Sequence, residues 1–159
     1  MIRAPKRVFT TKTSATKETA SLKKENVEAK LRFIPLGGLE EIGRNCSFFE
    51  YKNEIIIVDV GIQFPEEATP GIDYIIPNAA YLEPKKKNVH GIILTHGHYD
   101  HIHALPYLLE KFGNPIIYTA ELTKALIERR FQEFPNVPKP KIQTVKNGEK
   151  ISLSPNFQA

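Results

Sequence analysis

The sequence predicts an α/β fold in which helices cover the outer face of a mixed β-sheet. Two strand-like runs, residues 46–51 and 54–60, are separated by only two residues, which predicts an antiparallel hairpin. Further along, short apolar strands alternate with helical patterns, which is typical of βαβ units with parallel strands. With 159 residues, 41% of them hydrophobic, the chain is long enough for one domain with a buried core.

The first strands predict the edge and the centre of this sheet. Residues 31–36 are expected to form a short strand. Pro35 within it favours an edge position or the end of the strand, because proline has no N–H to donate to a second neighbour. Residues 55–58 are continuously apolar and β-branched, which indicates a central strand buried on both faces. Residues 62–77, which contain three prolines, are expected to follow as a long irregular segment.

The second half of the chain predicts alternating strands and helices. Thr119 is the expected N-cap of the second helix, and Asn147-Gly148 predicts a hairpin turn between the last two strands. Residues 155–159 show no closing element. The predicted elements are strand 91–95, helix 102–112, strand 115–118, helix 120–134, and strands 141–145 and 150–153.

Composition and charge narrow the class of protein. No apolar run approaches the roughly 20 residues that cross a membrane, so we expect no membrane contact. The single cysteine, Cys46, excludes an internal disulfide and fits a reducing, cytoplasmic location. Residues 1–32 carry a net charge of +6 and the remainder carries −2. We therefore expect residues 1–30 to be a disordered basic tail, which either raises affinity for RNA and other polyanions or serves only solubility.

The strongest chemical signal is a run of three histidines and one carboxylate between residues 96 and 101, in a predicted strand-to-helix loop. His96 and His98 are two residues apart, so an extended segment directs both imidazoles to one side, toward one metal ion. Asp100 and His101 cannot share that direction and suit a second ion. Imidazole and carboxylate donors favour zinc, and less exclusively manganese or iron.

Asp59 ends the buried strand, at the same end of the sheet as His96 if the two strands are parallel. A carboxylate there would orient a ligating imidazole or the metal-bound water; the alternative is an aspartate that caps the following loop. Four ligands do not fill two metal sites, since zinc takes about four ligands per ion. His90 and His103 are expected at the surface or behind the ligands, so we expect an incomplete site.

These residues resemble a known family. His96-x-His98-x-Asp100-His101 is similar to the H-x-H-x-D-H signature of the metallo-β-lactamase superfamily, and Asp59 matches its first motif. Within that superfamily the chain resembles the β-CASP ribonucleases of the ribonuclease J family, from about residue 36 to about residue 153. The segments that carry this resemblance are 36–45, 58–61, 64–66, 71–77 and 95–109.

The resemblance implies that residues 31–159 are the amino-terminal part of a four-layer αββα metallo-β-lactamase sandwich that holds two zinc ions. His96 and His98 would bind one ion, and Asp100 and His101 the other. Manganese is the alternative metal. Asp100 would serve both as a metal ligand and as a catalytic residue.

The resemblance also implies roles for other residues and an activity. Asp59 would act in catalysis from behind the ligands, and Gly71 and Asp73 match positions that bind a structural calcium ion in some relatives. The implied activity is hydrolysis of single-stranded RNA with a 5′-monophosphate, by 5′-to-3′ exonuclease and endonuclease cleavage. The implied context is rRNA maturation and mRNA decay by a cytoplasmic homo-oligomer.

The chain departs from this family at Tyr99, where relatives often carry Glu, and at His103-Ala104, where Gly-Gly is usual. We expect it to lack the later histidine and bridging aspartate that complete the metal sites, together with the β-CASP and carboxy-terminal domains. It is therefore expected to be a truncated portion that is inactive alone. Two alternatives stay open: another hydrolase of the superfamily, such as a thioesterase or lactonase, and a non-catalytic metal- or RNA-binding remnant.

Overall fold

The computed structural model describes residues 29–66 and 70–159. The basic tail predicted for residues 1–30 lies almost wholly outside the described residues, and its disorder stays a prediction. Within the described ranges, no helix has the length and apolar character needed to cross a lipid bilayer.

The described residues form eight strands, three α-helices and one 3₁₀-helix. The strands are β1 (Arg32–Gly37), β2 (Cys46–Tyr51), β3 (Glu54–Val58), β4 (Val89–Ile93), β5 (Ile116–Thr119), β6 (Ile142–Thr144), β7 (Ser152–Ser154) and β8 (Phe157–Gln158). The helices are the 3₁₀-helix Glu83–Asn88, α1 (Tyr99–Ile102), α2 (Leu105–Leu108) and α3 (Glu121–Phe131).

Six of these strands form one mixed sheet in the order β1-β2-β3-β4-β5-β6. β1, β2 and β3 are antiparallel neighbours, whereas β3, β4, β5 and β6 run parallel. Pro35 lies in the edge strand β1, and the isoleucines of the central strand β3 are at most 2% exposed. The predicted mixed sheet, its edge and its central strand are confirmed.

The two faces of the sheet have different partners, because side chains alternate along each strand. Ile55 and Ile57 of β3 pack in the main core, which also contains the buried side chains of the helices. Ile56 points to the other face, where it packs with Tyr118 and with Leu153 of β7. The helices therefore cover one face of the sheet, as predicted, and the β7–β8 pair covers part of the other.

The first predicted helix, residues 102–112, is wrong in its bounds. The segment instead forms two short helices, α1 and α2, and the first of them begins at Tyr99. Pro106 lies in the first turn of α2, where its missing N–H costs no helical hydrogen bond, so it starts a new helix rather than kinking a long one. Thr119 is also not the N-cap of α3. That position is Ala120, while the Thr119 hydroxyl donates a hydrogen bond to the Leu94 carbonyl.

The predicted hairpin of strands 141–145 and 150–153 is wrong as well. A local turn does form there, since the Glu149 N–H donates to the Lys146 carbonyl and Gly148 adopts a left-handed φ of 80°. However, β6 pairs in parallel with β5, and β7 pairs with β8. The expectation of no closing element after residue 155 is wrong for the same reason, because β8 lies there.

A buried carboxylate ties the edge of the sheet to the 3₁₀-helix. Glu50 of β2 is 3% exposed and accepts hydrogen bonds from Lys85 Nζ and from the Tyr81 hydroxyl, each at 2.9 Å. Arg32 pairs with the same carboxylate at 2.9 Å. Burial alone would raise the pKa of Glu50, but these hydrogen bonds and the two positive charges outweigh it and hold the pKa below its usual range.

Glu50→Gln is expected to lower the free energy of unfolding at neutral pH by about 2 kcal/mol, because it removes the buried charge that Lys85 and Arg32 pair with. Since folding lowers the pKa of Glu50, the stabilisation is full above the usual glutamate range and is lost as the pH falls through the lowered pKa. Thermal melts of both proteins should therefore differ at neutral pH and converge in acid. The exposed Glu110 provides the control substitution, Glu110→Gln, which should change little at either pH.

Candidate metal centre

Parallel strands bring the predicted site residues to one end of the sheet. β3 ends at Val58 and its parallel neighbour β4 ends at Ile93, so Asp59 and the loop that carries His96 leave the sheet side by side. The hydrogen bonding between β3 and β4 continues one residue past the end of β3, because the Asp59 N–H donates to the Ile93 carbonyl at 2.9 Å. Asp59 then turns the chain with a left-handed φ of 60°, which aspartate tolerates better than most residues.

The Asp59 carboxylate holds the metal loop through Thr95 and His101. It accepts hydrogen bonds from the Thr95 N–H at 2.8 Å and from the Thr95 hydroxyl at 2.9–3.0 Å. His101 Nδ1 lies 2.8 Å from Oδ2 of the same carboxylate. Because a carboxylate only accepts, Nδ1 must carry the proton, which leaves the lone pair of His101 on Nε2. The Asp59 carboxylate thus lies behind the His101 ring, and its role in a metal site stays a prediction.

Thr95 fixes the tautomer of His96 in the same way. Its hydroxyl has one hydrogen, and Asp59 takes it, so the hydroxyl oxygen accepts from His96 Nδ1, 3.0 Å away. His96 therefore also presents a lone pair on Nε2. The sequence analysis did not single out Thr95 as a functional residue. The signal that could have identified it is its position directly before His96.

The four candidate donors lie close together as two pairs, and their role as metal ligands stays a prediction. His96 Nε2 is 3.1 Å from His98 Nδ1, and His101 Nε2 is 3.4 Å from Asp100 Oδ2. Two donors bound to a tetrahedral zinc ion at 2.0–2.1 Å lie about 3.3 Å apart, so both separations fit a shared ion. The His96 and His101 rings are neighbours, with centroids 4.0 Å apart, which places the two pairs side by side.

The donor set nevertheless fits only part of a two-metal site. Among the described residues, no three His, Cys, Asp or Glu side chains converge on a point that a metal ion could occupy. Two donors per ion leave about half of each coordination sphere to water, substrate or other donors. The predicted incompleteness of the site stays a prediction.

Asn45 is a second residue that sequence reasoning missed. Its side-chain nitrogen lies 3.0 Å from Asp100 Oδ2 and 3.2 Å from His101 Nε2, so the amide bridges the two donors of the second pair. The backbone reinforces this, because the Asn45 N–H donates to the Asp100 carbonyl at 3.0 Å and its carbonyl accepts from Gly61 at 2.9 Å. A separation of 55 residues hides this contact from any local pattern.

The remaining histidines lie outside the donor pairs. His90 is exposed near the start of β4, at the end of the strand far from the site, as predicted. His103 is 7% exposed, and its ring stacks on the Tyr99 ring with centroids 3.4 Å apart and planes 21° apart. Burial, and the charge of Arg130, lower the pKa of His103 to about 4, so this imidazole is neutral at physiological pH.

Tyr99 lines two cavities. The first, which we call the loop cavity, measures about 660 Å³ and lies between loop 40–43, segment 62–64, Glu66, and the adjacent Tyr99 and Asp100. The second, the arginine cavity, measures about 240 Å³. It is lined by Tyr99, His103, Leu126, Arg129, Arg130 and Glu133.

The predicted calcium ligands lie apart from the donor pairs. Gly71 and Asp73 are exposed and belong to the irregular segment that follows residue 70. A calcium ion needs six to eight oxygen ligands, and this segment has no cluster of three or more acidic side chains among the described residues. The calcium site stays a prediction.

The profile of the metallo-β-lactamase superfamily matches residues 39–155, which is well over half of the chain. The chain belongs to the metallo-β-lactamase superfamily. The mixed sheet with its helical layer is the part of this fold that the described residues form, and membership in the superfamily suggests metal binding.

Within the superfamily the chain is similar to ribonucleases J, as the sequence motifs predicted. It is 38% identical over 127 residues to ribonuclease J of Synechocystis sp., which covers 80% of this chain and 20% of the relative. It is 44% identical over 108 residues to ribonuclease J of Thermus thermophilus, and the alignment covers 65% of this chain and 19% of the relative. It is 47% identical over 98 residues to ribonuclease J 1 of Streptococcus pyogenes, and the alignment covers 62% of this chain and 17% of the relative.

The chain thus spans about a fifth of the length of these curated relatives. Among solved structures, a diphosphatase from the PhnP family aligns with a TM-score of 0.48 at 17% identity, over 77% of this chain and 53% of that one. The superfamily profile, rather than this structural alignment, carries the family assignment.

Proposed function

We propose that this metallo-β-lactamase chain contributes zinc ligands to a hydrolase of RNA phosphodiester bonds. The observation that carries the proposal is the pair of donor sets, His96 with His98 and Asp100 with His101, held at the ligand separations of a tetrahedral ion. The similarity to ribonucleases J supports RNA as the substrate class.

The residues of this chain would position the metal rather than supply the nucleophile. Asp59 keeps the proton of His101 on Nδ1, and Thr95 does the same for His96, so both histidines offer Nε2 before a metal arrives. When bound, zinc ions would polarise a phosphoryl oxygen and lower the pKa of a water molecule. Asn45 would hold Asp100 close to His101 so that the second pair keeps its spacing.

Zinc should bind this chain weakly, because the described residues offer only two donors per ion. Competition against a chromophoric chelator measures the affinity, and elemental analysis measures the stoichiometry. We expect a substoichiometric zinc content that falls further in His98→Ala. Finding two tightly held zinc ions per chain would contradict the ligand count. For the same reason, the chain alone should not hydrolyse RNA with a 5′-monophosphate appreciably.

A chimera tests the activity itself. The matching segment of the Synechocystis ribonuclease J would be replaced by residues 31–159 of this chain, so that the relative supplies whatever further donors catalysis needs. The chimera should hydrolyse single-stranded RNA in a zinc-dependent manner, and His98→Ala in the chimera should abolish this. A folded, zinc-loaded chimera that cleaves a thioester or a lactone but not RNA would instead favour the alternative hydrolase class.

The finer expectations belong to the same proposal. They are 5′-to-3′ exonuclease and endonuclease cleavage in rRNA maturation and mRNA decay, a homo-oligomeric assembly, and a cytoplasmic location. Manganese in place of zinc, and calcium at Gly71 and Asp73, complete the proposed metals. Each of these is supported only by the similarity to ribonucleases J, and not by contacts among the described residues.

A further inference from the structure

The Tyr99 ring is a fixed aromatic surface at the rim of the metal loop. One face lies against the ring of His103, a residue that is 7% exposed, with the two ring centroids 3.4 Å apart. Tyr99 as a whole is 54% exposed, so a large part of its surface faces solvent. Because His103 packs one face, the tyrosine can bind a planar group on the other face without first losing much conformational freedom.

The position of Tyr99 places this surface next to the metal donors. It directly precedes Asp100, and both residues line the loop cavity together with Ile42 and Phe64. The cavity volume of about 660 Å³ is within the range of sites that enclose small molecules or single nucleotides. Ile42 is 93% exposed and Phe64 is 58% exposed, so apolar surface faces solvent around the same opening.

Charge decides which part of a nucleotide fits this cavity. Glu40 lines it beside Asp100, and these two carboxylates disfavour a phosphate group there. The arginine cavity, which Tyr99 also lines, contains Arg129, which is exposed, and the buried Arg130. A neutral planar base is therefore the part of an RNA strand that suits the loop cavity.

We propose that Tyr99, stacked on His103, is a platform on which one nucleobase of single-stranded RNA stacks as it lies in the loop cavity beside Asp100. The inference rests on the proposed action on RNA and names a substrate-binding surface for it. Base stacking on an aromatic ring tolerates any base, so the platform would hold the strand close to the metal donors without reading its sequence.

An abasic scan tests the platform. Binding of the chain to a short oligoadenylate with a 5′-monophosphate is compared with binding to the same RNA carrying one abasic ribose at each position in turn. For the unaltered chain, one position should weaken binding by about 5- to 100-fold, because a single base–aromatic stack is lost. Tyr99→Ala should bind the intact RNA as weakly as the unaltered chain binds the RNA that lacks this base. Removing the same base should then not lower the affinity of Tyr99→Ala any further.

Two variants separate the ring from other effects of substitution. Tyr99→Phe keeps the ring and should restore the position-dependent loss. Phe33→Ala removes another exposed and stacked aromatic ring, which lines neither of the two cavities, and should leave the scan unchanged. A thermal melt of each variant shows whether it is folded. A loss of affinity at one abasic position indicates that Tyr99 stacks on a base, because a purely structural role for Tyr99 would not depend on the position of the missing base.

The outcomes for this inference and for the proposed function are distinct. RNA binding that is equally weakened at every abasic position, or a Tyr99→Ala variant that keeps the position-dependent loss, overturns the platform and leaves the ribonuclease proposal intact. An RNA-hydrolysing chimera combined with an insensitive scan likewise overturns the platform alone. Absence of any RNA binding together with an inactive chimera overturns both.

Discussion

Gly61→Ala is expected to destabilise the chain by at least about 3 kcal/mol. A Cβ atom at this position would lie 1.5 Å from the Asp100 carbonyl oxygen, 2.0 Å from its carbon and 2.7 Å from the His101 nitrogen. These are backbone atoms, so no change of rotamer relieves the overlap. The segment that carries Asp100 and His101 has to move away, and the second donor pair moves with it. Urea unfolding measures the loss.

Gly148→Ala is the matched control for this prediction. Gly148 has a left-handed φ of 80°, but nothing lies within 4 Å of its hypothetical Cβ atom. The substitution should cost only the backbone strain, about 1–2 kcal/mol. Equal losses in the two variants would mean that the close approach of Gly61 to Asp100 has no special energetic weight.

Asp59→Asn is expected to weaken zinc binding by about 10- to 100-fold. Asparagine keeps the size of the side chain and also tolerates the left-handed φ of 60°, so the fold should survive. What changes is the acceptor for His101 Nδ1–H and for both Thr95 donors, since a neutral amide accepts less strongly than a carboxylate. Chelator competition of both proteins measures the ratio of their zinc affinities.

The control for Asp59→Asn is Asp73→Asn, which makes the same chemical change at an exposed loop position. In calcium-free buffer it should leave zinc affinity unchanged. If Asp59→Asn also leaves zinc affinity unchanged while thermal melts show a folded protein, then the carboxylate does not prepare the ligating histidines, and Asp59 would serve only to cap its loop.

The sequence predicted the part of the site that local patterns encode. His96, His98, Asp100 and His101 are recognisable by their residue types and spacing. The buried run before Asp59 predicted a central strand that ends at the same edge of the sheet as His96 if the two strands are parallel. Asn45 and Thr95 could not be found in this way. Their roles arise from contacts with Asp100, His101 and Asp59, which side-chain identity alone does not reveal.

The failed hairpin shows a second limit of the same kind. Asn147-Gly148 does make a turn, as the identity of these two residues predicts. Which strands pair across a turn depends on burial against the rest of the molecule, and β5 offers β6 a parallel neighbour in the main sheet. Leu153 of β7 is instead buried against the opposite face, beside Ile56 and Tyr118.

The backbone contacts around Gly61 also bear on how the site forms during folding. They join three segments that are far apart in sequence: Asn45 bonds to Asp100, Gly61 to Asn45, and Val60 to His101. Closing such long loops costs chain entropy before any contact compensates for it, which slows the step that makes them. A partly folded chain can therefore contain the complete β-hairpin and the histidine-rich loop and still have no second donor pair for a metal ion.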